Sequence, residues 1–424
     1  MPSHEDIRHL VRNRVPGLTL EAPFYTAPEI LEMDIEAIFN RHWIFAAAGP
    51  ELPEPGDCVT LEVGPASILL LRGEDMQVRG FRNVCRHRGA RLIEARSTTI
   101  GNIVCRYHGW SYSEDGALIH AEHMGEDFDR SCHGLIPVHV RDIAGLIFIC
   151  LAEEAPEDID EMAAAMEPYL LPHDLANCKV ALQSELVEEG NWKLTLENNR
   201  ECYHCETNHP QLTVPLSEFG FGFSPDELDE RRSEEASAYL AAVEERHAYW
   251  QSCGLPSSEV NRLRDVTGFR AMRLPLLGAG ESHTLDTRVA SKKLLGRFRE
   301  AALGGLSFWT QPNSWHHFMS DHVVTFSVLP LGPDRTLVRT TWLVHKDAIE
   351  GQDYKTEQLA TVWTMTNQED ADLVRIGQLG VSDPAYRPGP YSPYTESMVE
   401  AFTGWYIDRM AEHLEPGSSA MAAE

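Results

Sequence analysis

Cationic side chains are scarce in this chain. Thirty-six lysines and arginines stand against 65 aspartates and glutamates, leaving a formal net charge of −29. So acidic a surface repels polyanions, which argues against nucleic acid or anionic membranes as partners. It suits cationic ligands, basic protein partners and solubility. Long apolar runs are missing as well. The opening residues, MPSHEDIRHLVRNR, carry charge throughout and contain no stretch of signal-peptide or membrane-spanning length. A cytoplasmic location is the expectation. Cysteine is sparse, nine in 424 residues, which is no disulfide framework. In a reducing compartment, spaced cysteines and histidines act as metal ligands or buried thiols. There is no dinucleotide or flavin motif, no internal repeat, and no low-complexity tract beyond the tail EPGSSAMAAE.

What is present is apolar mass for a large core. Hydrophobic residues make up 43% of the chain, and its length suits two or three domains. LEMDIEAIFNRHWIF (31–45) has helical apolar spacing and reads as a helix feeding a strand. Up to about residue 152 the pattern becomes short apolar runs cut by turns: CVTLEV, SILLLR, MQVRGFRNV and GLIFICL. That is an antiparallel β region. EEAPEDIDEMAAAMEPYL (153–170) reads as a connector that turns helical. A strand, KVALQSELVEEG, and a helix from near Asn191 follow. Residues 225–265 read as mainly helical, with AYLAAVEERHAYW as a stripe for packing on a sheet. HVVTFSVLPL and TLVRTTWLVHK form a hairpin through GPDR, and 354–379 and 394–413 read as helices.

Two constellations carry chemistry. The first is NVCRHRGARLIEARSTTIGNIVCRYHGWSY, which holds C-x-H and C-x-x-H: Cys85, His87, Cys105 and His108. Two thiolates and two imidazoles can hold zinc. Each Cys-His pair, however, sits at a predicted strand end, with Gly89 or Gly109 just past the histidine, where the backbone can turn around a bulky group. Arg86, Tyr107 and Trp110 flank the ligands, either as packing or as donors to the sulfurs.

The second is LENNRECYHCETNHP (196–210). His204 and His209 are five residues apart, roughly 140° around an ideal helix. A shared metal therefore requires a break or a π-bulge, with Pro210 helping to end the helix. Cys202 and Cys205 read as packed thiols, since no second cysteine pair accompanies them. Tyr203, Asn198 and Asn199 either line a pocket or serve local backbone.

The first constellation resembles the Rieske [2Fe–2S] motif, in which two cysteines hold one iron and two histidines the other. The order of motifs resembles the large (alpha) subunit of Rieske non-haem iron oxygenases over nearly the whole chain. NWKLTLENNRECYHCETNH is similar to that family's mononuclear-iron motif, and NQEDADLVRIGQLG to the place of its third ligand. The resemblance implies an α+β fold: an N-terminal antiparallel β Rieske domain and a C-terminal helix-grip (START-like) catalytic domain. The boundaries it implies are 1–44 for a helical segment packing on the catalytic domain, 45–152 for the Rieske domain and 153–424 for the catalytic domain. It also implies a [2Fe–2S] cluster on Cys85, His87, Cys105 and His108, and Fe(II) on His204, His209 and Asp370. Asp370 is preferred to Glu369 and Asp372 for its spacing to Gln378. Two histidines and one carboxylate leave positions on iron for oxygen and substrate.

In that family electrons cross between subunits of a trimer, through a carboxylate bridging a Rieske histidine and an iron-ligand histidine. Glu201 stands at that position, with His108 of a neighbouring copy and His204 as its partners. Glutamate rather than aspartate there is similar to the branch acting on quaternary ammonium compounds, as is WLVHKDAIEGQDY (342–354). The implied activity is oxidative N-demethylation of a betaine (stachydrine or glycine betaine) with O2 and electrons from a separate NAD(P)H reductase, releasing formaldehyde. The implied assembly is a homotrimer. An aromatic ring-hydroxylating dioxygenase is the alternative.

A quaternary ammonium has no N–H to donate and is held by aromatic faces. Phe221, Phe223, Trp309, Trp315, His316 and Phe318 are the candidates. By strand parity Trp309 and Trp315 share one face, and Phe308, His316 and Phe318 the other. A betaine carboxylate also needs a donor, from Asn208, Arg273 or a tryptophan N–H.

Overall fold

A computed structural model describes residues 2–221 and 230–415. Two seven-stranded antiparallel sheets form the frame. The first is ordered Ile44–Ala48, Leu146–Cys150, Pro137–Ile143, Val78–Arg82, Ala66–Arg72, Asp57–Val63, Ser97–Thr99. The apolar runs expected as strands lie here. Tight turns set their register: Val63 pairs with Ala66 across Gly64-Pro65, and Gly64 takes φ +54°, open to glycine at little cost. A smaller sheet of Ile103–Val104, Ser111–Tyr112 and Leu118–His120 sits beside it.

The second sheet is ordered Cys178–Glu188, Arg335–His345, His322–Gly332, Ser314–Phe318, Gly305–Thr310, Phe269–Leu274, Val260–Arg262. The expected hairpin closes on Gly332 opposite Arg335, with Pro333 and Asp334 as its loop. Both faces of this sheet are covered. On one, Trp309, Trp315, Val324, Phe326 and Trp342 share a core with Leu359, Val362 and Trp363 of helix Thr356–Val381. On the other, Leu306, Phe308, Phe318 and Val323 pack with Phe45 and Phe148 of the first sheet and with Met162 and Met166 of helix Ile159–Leu170. Burial on both sides is why residues 305–310 and 314–318 are buried without alternation.

The helices differ from expectation in two places. Residues 31–45 form an α-helix only to Asp34, then a π-helical turn, Ile35–Phe39, before strand Ile44–Ala48. The helix read over 225–265 runs over Glu230–Ser252 among the described residues. Gly254, at φ +71°, and Pro256 stop it, and Val260–Arg262 joins the sheet edge instead. Its stripe buries Tyr239, Val243 and Trp250. No helix among the described residues is long and apolar enough to cross a membrane.

Helix His4–Arg12 and the residues after it pack with the C-terminal helix Ser397–Leu414, burying Ile7, Phe24 and Ile30 with Phe402, Trp405 and Tyr406. A buried polar knot ties this layer to helix Trp192–Asn199. Asp34 accepts hydrogen bonds from Lys193 Nζ, from Trp192 Nε1 at 2.9 Å and from the Tyr406 hydroxyl at 2.7 Å. One turn further, the half-buried Glu197 accepts from Tyr25 at 2.9 Å and Tyr391 at 3.2 Å. Burial pushes its carboxyl up to about 7 against the pull of these hydroxyls and of Lys193. Between the ordinary glutamate range and pH 7 the folded chain therefore holds a proton that the unfolded chain has released. Stability falls as pH rises through that window and levels off above it. Glu197→Gln is expected to flatten this slope, worth about 3 kcal/mol, in denaturant titrations repeated from pH 5 to pH 8. An unchanged slope would show that Glu197 is ionised in the fold.

Candidate active site

Two loops of matching shape carry the first constellation. Cys85 N–H donates to Ala90 O and Gly89 N–H to Cys85 O; Cys105 N–H donates to Trp110 O and Gly109 N–H to Cys105 O. Gly89 and Gly109 take φ +74° and +72°, a conformation that favours glycine and returns each loop around its Cys-His pair. Cys85 and Cys105 are buried, and the rings of His87 and His108 lie 4.6 Å apart between centroids. His87 Nδ1 is buried without a hydrogen-bond partner, as suits an imidazole nitrogen that binds metal. The two thiols, two imidazoles and orphaned nitrogen fit a Rieske cluster. Trp110 stacks on His87 at 4.8 Å, whereas Tyr107 lies 61% exposed beside His108. Tyr112, which the sequence reading passed over, is buried with its hydroxyl 3.3 Å from Cys85 Sγ. That hydroxyl already accepts the Arg86 N–H at 3.0 Å, so its own proton is free for the sulfur. Its signal was the last letter of CRYHGWSY. Arg88 donates to His108 Nε2 at 2.9 Å.

The second constellation sits on a broken helix. The first segment ends at Asn199; His204 precedes a one-turn helix, Cys205–Asn208, and His209 follows it at φ −122°, ψ 65°. The break does what the five-residue spacing requires: His204 Nε2 lies 3.5 Å and His209 Nε2 3.0 Å from the same Asp370 Oδ1. Outer carboxylates aim both rings. Glu201 Oε1 lies 2.5 Å from His204 Nδ1, and Glu369 Oε2 lies 2.8 Å from His209 Nδ1 while also accepting from Gln211. An Nδ1–H engaged by a carboxylate leaves Nε2 with its lone pair toward the centre, the arrangement found around protein metal ions. Glu369 and Asp370 are neighbours on helix Thr356–Val381 and do different work: one faces both Nε2 atoms, the other backs one imidazole. Asp372 lies near Arg375 instead. Asn198 donates to Asp370 Oδ1 at 2.7 Å. Gln378 accepts from Asn191 N–H at 2.9 Å and so joins the long helix to the start of the histidine-bearing segment.

The electrostatics favour a cation at the centre. Burial would raise the Asp370 carboxyl, but the two histidines outweigh it and hold it down at about 2. Burial would lower His204, but Asp370 and Glu201 outweigh it and raise it to about 9. The same carboxylates would stabilise a divalent ion. His209 Nε2 is buried with only the Asp370 oxygen beside it, and the two-histidine, one-carboxylate donor set fits Fe(II). Cys205 Sγ lies within 4.8 Å of the ligand-type atoms of both histidines. It is bonded to Cys202 in a disulfide, which corrects the expectation of two packed thiols and removes Cys205 from the donors.

A pocket opens beside this cluster, lined by Asn198, Asn199, Glu201, Cys202, His204, Cys205, His209, Leu212, Leu216, Phe221, Trp309, His317, Trp363, Thr366 and Asp370. Of the aromatic candidates, Phe221 and Trp309 line it, and Phe223 lies outside the described residues. His316 and Phe318 do not line it. Their strand turns them to the opposite face of the sheet, where His316 packs on Phe45 at 4.6 Å and Phe318 on His173 at 5.1 Å. Trp315 shares the iron-side face but stacks on Phe326 at 4.8 Å and does not reach the pocket. Arg273, directly opposite Leu306 in register, also faces away and donates to backbone. Asn208 bonds the His204 carbonyl, and the Tyr203 ring is 62% exposed.

The residues that sequence reasoning missed are His317, Trp363, Leu212, Leu216 and Thr366. Trp363 stacks on His317 at 4.4 Å and spends its N–H on His283 Nδ1. Burial keeps His317 neutral, far below the usual imidazole range, so this aromatic wall does not repel a cation. The signals were the helical spacing of Trp363, seven residues before Asp370, and the parity that sets His317 with Trp309.

The comparisons with known proteins agree with this architecture. The Rieske [2Fe-2S] domain family matches residues 42–139, and the family described as Ring hydroxylating alpha subunit (catalytic domain) matches residues 175–412. The chain is 40% identical over 407 residues to the glycine betaine monooxygenase oxygenase subunit of Chromohalobacter salexigens, covering 96% of this chain and 89% of that one. It is 40% identical over 415 residues to the protein of the same name from Pseudomonas aeruginosa, covering 97% and 94%. Among solved structures, a quaternary ammonium Rieske monooxygenase in complex with L-carnitine superposes with a TM-score of 0.68 at 22% identity, covering 95% of this chain and 98% of that one. Naphthalene 1,2-dioxygenase from Rhodococcus gives 0.69 at 20%, covering 98% and 100%. At these identities the two structures establish the shared fold and do not separate the chemistries.

Proposed function

The chain belongs to the ring-hydroxylating alpha-subunit family, with a Rieske domain ahead of the catalytic one, and from that premise we propose that it N-demethylates a betaine, with glycine betaine foremost. It is a Rieske non-haem iron oxygenase that uses a [2Fe–2S] cluster and a mononuclear iron. Our reading assigns the cluster to Cys85, His87, Cys105 and His108, and the iron to His204, His209 and Asp370. It divides the chain at 1–44, 45–152 and 153–424. The observation that carries it is the pair of Nε2 atoms meeting on one Asp370 oxygen, each ring backed by a carboxylate.

When bound, the iron supplies activation of O2 for insertion of one oxygen atom into a substrate C–H bond. The protein's part is placement. Phe221 and the Trp363–His317 pair offer apolar and π surface to a methylated ammonium. Asp370 and Glu201 offset the charge of the bound iron, so that end of the pocket does not repel a cation. Leu212 and Leu216 limit water. Oxidation of one N-methyl carbon yields a hemiaminal that collapses to formaldehyde and the demethylated amine. For glycine betaine, O2, NAD(P)H and a proton give dimethylglycine, formaldehyde, water and NAD(P)+. With no nicotinamide or flavin motif in this chain, a separate reductase supplies the electrons, as the words "oxygenase subunit" imply for the relatives.

Glu201 is assigned the bridge between subunits. It holds His204 Nδ1 and borders a cleft shared with Glu197, Tyr391 and Glu396, while His108 is exposed on the first domain. In a trimer these would meet across a boundary, and the Glu201 carboxylate would hold a proton between the two imidazoles. Location in the cytoplasm completes the reading. The test is reconstituted turnover with a Rieske reductase and NAD(P)H over glycine betaine, stachydrine, carnitine, choline and benzoate, scoring formaldehyde. Release from betaines is expected. Consumption of an aromatic acid with no formaldehyde from any quaternary amine would replace this reading with a ring dioxygenase.

A further inference from the structure

Arg200 is a buried cation with no anion beside it. Its side chain is fully inside the protein, and its guanidinium donates only to neutral acceptors: Asn199 Oδ1 at 2.6 Å, Thr310 O at 3.1 Å, and Gln311 Oε1 and Ser314 O at 3.3 Å. Its Nε has no acceptor. Among the described residues no carboxylate lies within 4.0 Å of it, and the charged neighbour it does feel is another cation, Arg270. Burial brings it down to about 9, which leaves it protonated at neutral pH. A charge taken out of water is normally paired.

The pocket lies one residue away. The Arg200 and Arg270 guanidinium carbons each stand 5.0 Å from the Trp309 ring centroid, and Phe221 stacks on the same indole at 6.1 Å. Arg270 is paired with Glu259 at 2.6 Å; Arg200 is not paired. With two cations on its π system, Trp309 is a poor seat for an ammonium, contrary to the role the sequence suggested for it. What it still has to offer is its indole N–H, which is buried and has no acceptor. A guanidinium over the ring withdraws electron density and strengthens that N–H as a donor. The other end of the pocket holds the proposed iron ligands His204, His209 and Asp370.

We propose that the pocket is anchored at its cationic end and selects an ammonium that carries a carboxylate: the carboxylate of a short betaine accepts a hydrogen bond from Trp309 Nε1 within the field of Arg200, and this anchoring turns the trimethylammonium toward the iron ligands His204, His209 and Asp370. The inference rests on the betaine reading and narrows it. Substrates with a methylated ammonium but no carboxylate, such as choline, lack the anchor and are rejected. Arg200 is a positioning residue that acts through Trp309; Trp309 touches the substrate.

Binding tests this apart from turnover. Holoprotein is titrated calorimetrically with glycine betaine, with choline and with 3,3-dimethylbutyrate, which keeps the carboxylate and the shape but lacks the positive charge. Wild-type protein is expected to prefer glycine betaine over choline by at least about tenfold, with dimethylbutyrate also ahead of choline. Trp309→Phe, which keeps the ring and loses the N–H, is expected to weaken glycine betaine by about ten- to hundredfold while leaving choline unchanged. If wild-type protein binds choline as well as glycine betaine, or binds neither, the proposal is overturned whether or not the variant folds. A variant that loses both ligands equally, or keeps the preference, overturns it as well. Failure of the betaine reading is seen elsewhere, as wild-type protein that releases no formaldehyde from any quaternary amine.

Discussion

Asp370→Ala is expected to abolish formaldehyde release, by about a thousandfold or more, while the visible spectrum of the Rieske cluster stays intact. The reason is geometric. Asp370 Oδ1 is the atom on which both imidazole Nε2 groups converge, at 3.5 and 3.0 Å, and it is the carboxylate of the donor set. Without it, two neutral imidazoles remain, and the charge that compensates a divalent ion at the centre is gone. Iron analysis checks the cause: three irons per chain should fall to two. Full iron content with lost activity would move Asp370 from ligand to proton handling. Full activity would hand its role to Glu369, which the structure sets behind His209 Nδ1 at 2.8 Å. Iron content also separates this enzyme from an electron carrier with two irons and from a colourless zinc protein.

Asp34→Ala carries the second large effect, on folding rather than chemistry. Asp34 and Lys193 are both fully buried, and Lys193 Nζ lies over the Trp192 and Tyr406 rings at 4.9 and 5.0 Å. Removing the carboxylate leaves an ammonium, an indole N–H and a tyrosine hydroxyl without their shared acceptor. Breaking one side of a buried pair costs about 3–5 kcal/mol, whereas replacing both sides by apolar groups is near neutral. Chemical denaturation should therefore show a loss of that size for Asp34→Ala. Most of it should return in Asp34→Leu combined with Lys193→Met. A loss below about 1 kcal/mol in the single variant would mean that water reaches the knot. The knot also explains the Asn-Trp-Lys run at 191–193. Its letters cap a helix, fill the core and bind the N-terminal layer, and none of them touches the pocket.

The cluster and histidine motifs were legible in the letters because each lies within a short segment. Cys85, His87, Cys105 and His108 occur in two short loops whose glycines close them, and the spacing of His204 and His209 required the helix break that the structure contains between Asn199 and Cys205. The hairpin at Pro333-Asp334 and the two long C-terminal helices were equally local.

Three matters were decided only in three dimensions. Strand parity correctly separated Trp309 and Trp315 from Phe308, His316 and Phe318, but it could not say which set meets the iron. Exposure normally marks the outer face of a sheet; here both faces are buried, so the letters look alike and only the placement of helix Thr356–Val381 makes His317 a pocket residue and His316 a packing one. Adjacent carboxylates at 369 and 370 were ambiguous because one step on a helix is about 100°, and their roles depend on where a segment 160 residues earlier crosses them. The charge balance of the pocket was invisible, because it depends on Arg200, Arg270 and Trp309 meeting across distant positions. The letters alone carried the cluster and iron motifs and the residue types proposed to hold them, since coordination chemistry is written in short motifs. Tertiary structure alone decided which wall faces the substrate and with what sign of charge, since packing and long-range electrostatics belong to no single segment.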